Sequence, residues 1–227
     1  MKKLILTIVL VLGMATSGWA ITFTVDGTSL ADGRDQAATA EVNIVDDTLS
    51  ITLANTGTVT GISSTLTGFS FTFSSAPSSI TLIDALLSSG KEVTISKTGH
   101  PAVYSADENP VAVGSPYSWG FDGTLLAAGD GAFKNYGIVN DSILDPVNYV
   151  QDGLSNGPHN PYLLGPVTFN FTLDGLLPGA EITSVAFYFG TGGETQTPPS
   201  VPEPGTMVLL GTGLVGLAFF GRKRMNK

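Results

Sequence analysis

Apolar and polar residues alternate with a period of two along several stretches of the chain, the signature of β-strands with one buried and one wet face. In "GFSFTF" the alternation gathers Phe69, Phe71 and Phe73 on one face. In "VTFNFTL" it gathers Val167, Phe169, Phe171 and Leu173, and in "SVAFYFG" Val185, Phe187 and Phe189. Two further runs in "AEVNIVDDTLSITLANTG" flank Asp46-Asp47, which predicts a hairpin whose second strand turns Leu49, Ile51 and Leu53 inward. Strands are also predicted over 21–25, 80–83, 92–96 and 117–121. Eight or nine short strands predict an all-β fold, an antiparallel β-sandwich. The pattern over 84–88 is also compatible with a short helix. Between 97 and 166 Pro, Gly, Asn and Asp interrupt the alternation, so this region is expected to form long loops at one end of the sandwich.

The two ends follow a different pattern. The start, "MKKLILTIVLVLGMATSGWA", sets Lys2 and Lys3 before an apolar run and closes on small residues at Gly18 and Ala20. This order predicts a signal-peptide helix over 1–20, cut by signal peptidase between Ala20 and Ile21. The exported domain then runs over 21–190, and 191–201, a Gly-, Thr- and Pro-rich stretch without apolar period, reads as a flexible spacer.

Beyond the spacer, Pro202 and Pro204 fix φ and lack N–H donors, so Pro202-Glu203-Pro204 is expected to stay extended and readable. An uncharged segment follows, with Met207, Val208, Leu209, Leu210, Leu214, Val215, Leu217, Ala218, Phe219 and Phe220 as its apolar residues. As a helix, residues 205–221 would be about 25 Å long, close to the roughly 30 Å of a bilayer's hydrocarbon core. Arg222, Lys223 and Arg224 come next and predict a cytoplasmic C-terminus with the domain outside the inner membrane.

Composition changes the picture in three ways. Twenty-eight Gly and thirteen Pro suit a turn-rich β protein, and roughly 180 residues between the ends can bury one core. Between 21 and 200 only Arg34, Lys91, Lys97 and Lys134 stand against eighteen Asp and Glu, a surface that repels nucleic acid. The chain has no Cys, which removes disulfides, thiolate nucleophiles and thiolate metal sites.

Ordered as it is, the C-terminal end (Val201-Pro202-Glu203-Pro204, the apolar segment, then Arg222-Lys223-Arg224) resembles the PEP-CTERM sorting signal of exported bacterial proteins. The resemblance covers about the last twenty-seven residues, 202–227 forming the signal proper. It implies a substrate role: Pro202, Glu203 and Pro204 recognised by exosortase, an integral-membrane Cys protease or transpeptidase, with the apolar segment for retention and the basic cluster for orientation. It also implies a mature form at the cell surface or in the extracellular matrix, and a link to exopolysaccharide or biofilm. The stretch 37–58, "AATAEVNIVDDTLSITLANTGT", is similar to the Thr-rich regions found upstream of such tails, and supports the β-sandwich without implying an activity.

Candidate chemistry in the domain is sparse. His100 and His159 each sit beside Pro in an expected loop, and no G-x-S-x-G elbow accompanies them, so no catalytic residue, metal site or cofactor is expected. The domain is read as non-enzymatic. The alternative is a carbohydrate- or calcium-dependent binding module on the cell surface. Calcium would draw on the acidic clusters Asp26, Asp32 and Asp35, Asp46-Asp47, and Asp107-Glu108. Sugar stacking would draw on Tyr104, Tyr117, Trp119, Tyr136, Tyr149 and Tyr162. Asn140 and Asn170 open N-glycosylation triplets, and Ser and Thr on wet faces are candidate O-glycosylation sites.

Overall fold

The structure, a computed structural model, describes residues 19–96, 101–105, 119–129, 133, 136–145, 153–155 and 159–198. Among these, strands form wherever apolar residues alternate over five or more positions. In chain order they are β1 (Trp19–Thr28), β2 (Asp35–Val45), β3 (Thr48–Asn55), β4 (Leu66–Phe73), β5 (Ser79–Leu87), β6 (Lys91–Thr94) and β7 (Ala102–Ser105). They continue with β8 (Gly120–Phe121), β9 (Leu125–Ala127), β10 (Ile138–Val139), β11 (Tyr162–Leu164), β12 (Val167–Asp174), β13 (Ile182–Phe189) and β14 (Glu194–Gln196). Among the described residues, 3₁₀ turns form at Ile62–Ser64 and Asp141–Leu144, and no α-helix is present.

The strands make two sheets. One runs β1-β2-β3-β12-β5; the other runs β14-β13-β4-β10-β11-β6-β7, with β9 on β4 and β8 on β9. The inward faces of both meet in one core. Leu49, Ile51 and Leu53 on β3 and Val167, Phe169, Phe171 and Leu173 on β12 are fully buried, facing Phe69, Phe71, Val185, Phe187 and Phe189 of the other sheet. Phe171 meets Phe71 edge-on at 6.0 Å and Phe121 at 5.1 Å, while Trp119 lies over Phe169 at 5.0 Å. A smaller cluster of Val59, Val93, Ile95, Val139, Ile143, Leu154, Tyr162 and Leu164 fills the region under β6 and β11.

The all-β expectation holds, as does the hairpin at Asp46-Asp47: Val45 pairs with Thr48, and Asp46 takes φ 53°, a left-handed conformation that Asp tolerates. Other details differ. Among the described residues fourteen strands replace eight or nine, because 97–166 holds β7, β9, β10 and β11 where long loops were expected, and β14 forms where a spacer was expected. These strands have two to four residues, too few for a period of two to register. Of the strand expected over 117–121, only Gly120–Phe121 is seen; residues 117 and 118 lie outside the described residues. One pairing, β10 with β11, is parallel.

Instead of a helix over 84–88, β5 continues to Leu87. It carries a register shift that leaves Ile83 unpaired, so Ile80 and Leu82 face inward before it and Ala85 and Leu87 after it. Such a bulge switches which parity points to the core, and hides the continuation of the strand beyond Ile83 from a period-of-two reading.

The expected signal-peptide helix and membrane helix lie outside the described residues, apart from the end of the first. Trp19 and Ala20 already pair with Ile44 and Asn43 at the start of β1, and Ala20 is exposed.

Candidate sorting site and the exit of the chain from the fold

The last strand is tied to the first hairpin by side chains rather than by a long ladder. β14 has only three residues on β13, yet its Glu194 reaches the turn after β1. Glu194 Oε1 accepts the Leu30 N–H at 2.5 Å, and Oε2 accepts the Ser29 hydroxyl at 2.9 Å and Gln36 Nε2 at 3.1 Å. Gln36, fully buried on β2, also donates Nε2 to the Ser63 carbonyl at 2.9 Å, and its Oε1 accepts Gln196 Nε2 at 2.8 Å. Every polar atom of the buried Gln36 amide is thereby partnered, as burial requires. Gly27 gives the room: a Cβ there would stand 2.9 Å from Gln196 Oε1.

Asp32 braces the same end. Its carboxylate accepts the Ser63 hydroxyl at 2.6 Å and Arg34 Nη1 at 2.6 Å, and the Arg34 guanidinium lies over Gly61. The Leu30 N–H, aided by Ser29 and Gln36, holds the Glu194 carboxyl below the usual carboxylate range although burial and the charge of Asp32 oppose it. For Asp32, burial works against ionisation, but the Ser63 hydroxyl, the Arg34 and Ser29 donors and the guanidinium outweigh it and lower the pKa.

This arrangement moves the start of the spacer. A flexible stretch was expected from 191, but 191–193 form a turn and Glu194–Gln196 a strand, so the fold extends to Gln196. Five residues, 197–201, then lead to Pro202, a reach of about 20 Å at full extension. No motif announced the clamp. Its one trace in the sequence is Gln36, standing in the inward parity of β2 with Ala38, Ala40 and Val42.

The sequence-predicted sorting residues Pro202, Glu203 and Pro204, the apolar segment from Met207 to Phe220 and the cluster Arg222, Lys223 and Arg224 lie outside the described residues. Ala20 and Ile21 lie within β1, where Ile21 turns toward the core and Ala20 away from it.

The candidate chemistry of the domain is dispersed. Trp119 is buried against Phe169, and Tyr162 is buried with its hydroxyl on the Leu154 carbonyl at 3.0 Å, so both belong to cores rather than to a sugar platform. Tyr136 is half-buried at the main core, Tyr104 is exposed, and Tyr117 and Tyr149 lie outside the described residues. Asp35 accepts the Thr58 N–H at 2.6 Å, and Asp32 is engaged as above; among the described residues no group of three or more His, Cys, Asp or Glu could hold a metal ion. Asp107, Glu108 and His100 lie outside them. Both glycosylation-triplet asparagines have structural partners. Asn140 Nδ2 donates to the Asn55 and Gly57 carbonyls, and Asn170 links Ser50 to Asp84 across three strands.

A search of the curated proteins finds no match. Residues 200–224, by contrast, match the family described as the PEP-CTERM protein-sorting motif, the same stretch that begins four residues after the clamped strand ends. The chain therefore carries a PEP-CTERM protein-sorting motif, which implies an exported protein whose precursor is associated with the membrane and processed by exosortase.

Proposed function

We propose that the protein is a non-enzymatic surface or matrix protein: a two-sheet β-sandwich delivered by a signal peptide over 1–20, held by a membrane helix within 205–221, and released or transferred by exosortase. The observation that carries this reading is the motif match at 200–224. In this reading Pro202, Glu203 and Pro204 are recognised, the apolar segment retains the precursor, and Arg222, Lys223 and Arg224 keep the C-terminus cytoplasmic. The catalytic groups belong to the exosortase, and the mature domain contributes its surface, with extracellular polysaccharide as its neighbour.

The clamp gives the sorting step a physical setting. Because β14 ends six positions before Pro202, a span of at most about 20 Å, we place the end of the domain that carries Ser29, Asp32 and Ser63 toward the membrane in this reading. Replacing Pro202, Glu203 and Pro204 together with Ala tests the assignment. Export should persist while full-length precursor accumulates in the inner membrane; unaltered tail removal in that variant would overturn it.

A further inference from the structure

Among the described residues β1 is the one long, regular edge of the two sheets. Its ten residues pair with β2 in an unbroken register from Trp19↔Ile44 to Thr28↔Asp35. The other edges are blunted. β5 is broken by its bulge, while β7, β8 and β14 have four, two and three residues. Natural sheets guard long edges with Lys, Pro or bulges, and β1 has none of them.

Which of its backbone groups are free follows from the turn. Ser29 donates its N–H to the Arg34 carbonyl at 2.7 Å, so at Ser29 the backbone points toward β2. Backbone direction alternates along a strand, so Ile21, Phe23 and Val25 also turn their N–H and C=O toward β2, and Thr22, Thr24 and Asp26 turn theirs outward. The Thr28 carbonyl obeys the same rule, pointing outward to accept Gln196 Nε2 at 3.4 Å. Thr22, Thr24 and Asp26 also hold their side chains in solvent on the outer face of the sheet. Among the described residues the edge is open up to Asp26; beyond it, Gln196 covers Gly27 and Thr28.

We infer that this edge pairs with the same edge of a second copy of the chain, antiparallel about a two-fold axis through Thr24. A two-fold axis normal to the sheet keeps each residue on its own face, so opposed residues have the same parity. Several registers satisfy this within the open stretch, and two close the most hydrogen bonds, one without Ala20 and one with it. One centred on Thr24 sets Thr24 opposite Thr24 and Thr22 opposite Asp26, using outward groups of 22, 24 and 26 on both strands and closing about six hydrogen bonds. The other, centred on Phe23, needs Ala20 opposite Asp26. If Ala20 leaves with the signal peptide, that register falls to about four hydrogen bonds. The Thr24 register also sets the Thr22 hydroxyl against the Asp26 carboxylate, the only charged side chain on the open edge. This choice of register rests on the cleavage proposed above.

The contact is small against the roughly 1,000 Å² of a stable interface, and the domain is acidic. The dimer is therefore weak in dilute solution, strengthens as salt screens the repulsion, and is populated where membrane sorting concentrates copies.

The absence of Cys makes the test clean. Single-Cys variants Thr22→Cys, Thr24→Cys and, as a control on a central strand, Thr172→Cys are expressed as the full chain, exported, recovered and oxidised at physiological salt. A hydrogen-bonded pair at about 5.5 Å between Cα atoms is within disulfide reach. The proposal predicts that Thr24→Cys forms a covalent dimer at least tenfold faster than Thr172→Cys, a loss of that dimer when Thr24 carries Cys and Thr22 carries Asp, which sets like charges against Asp26, and monomer throughout for the control. Equal rates for Thr24→Cys and Thr172→Cys would overturn it. So would preferential linkage of Thr22→Cys to Thr24→Cys in a mixture, which reports the Phe23 register. The intact mass of the same samples reads the signal cleavage separately, so failure of that step is distinguished from failure of the pairing.

Discussion

Glu194, on the last strand, accepts the backbone N–H of Leu30, in the turn after the first, at 2.5 Å across 164 positions of sequence. Through Gln36 and Gln196 the same contact reaches the Ser63 carbonyl, so one carboxylate joins the chain's first hairpin, a 3₁₀ turn and the strand from which the sorting tail departs. Replacing Glu194 with Ala removes three charge-assisted hydrogen bonds and is expected to destabilise the domain by about 1–3 kcal/mol. The direct readout is amide hydrogen exchange. The Leu30 N–H should lose protection in the variant while amides of β12 keep theirs.

The lowered pKa values of Glu194 and Asp32 fix the sign of a pH dependence. A carboxyl whose pKa falls on folding contributes stability that is fully present above its unfolded value, about 4.3 for Glu and 3.9 for Asp, and is lost as pH drops through the folded value. Urea midpoints should therefore fall between neutral pH and about pH 3. In the Glu194→Gln variant the fall should be smaller, narrowing the gap between wild type and variant in acid; a gap that widens in acid would contradict this role.

Phe171 lies on a central strand and touches the rings of Phe71 and Phe121. Truncation to Ala removes a fully buried ring shared by both sheets, and is expected to cost about 3–5 kcal/mol in chemical denaturation. Phe73 is only partly buried on the same face as Phe71, and its truncation should cost clearly less.

At the β2–β3 hairpin, Asp46 holds φ 53° and is exposed. A β-branched side chain is penalised there, so Asp46→Val should lower stability by about 1–2 kcal/mol. Gly adopts this conformation without strain, and Asp46→Gly should be close to neutral in the same denaturation assay.

The legible part of this fold was the part built by strict alternation. Phe69 and Phe71, Val167 to Leu173, and Leu49 to Leu53 all turn inward as their spacing predicts, because one face of each strand is buried over several consecutive pairs. In β5 the extra residue at Ile83 reverses the inward parity halfway along, so no single period describes it. The strands between 97 and 166 are held by buried asparagines such as Asn55 at the end of β3, which donates to the Ser64 and Ile138 carbonyls, and by core contacts that short runs do not announce. The sorting motif was legible for a different reason: Pro202-Glu203-Pro204, an apolar segment and basic residues in fixed order do not depend on tertiary contacts. The clamp at Glu194 depends wholly on them, joining residues more than 150 positions apart.

The most direct test of the sorting account is the intact mass of the mature protein recovered from cells and medium. A product lacking residues 1–20 and the tail beyond the Pro202-Glu203-Pro204 region, with any excess mass reporting an attached group, is the predicted result. A mass running through Lys227 would make the C-terminal segment a permanent anchor and would contradict processing by exosortase.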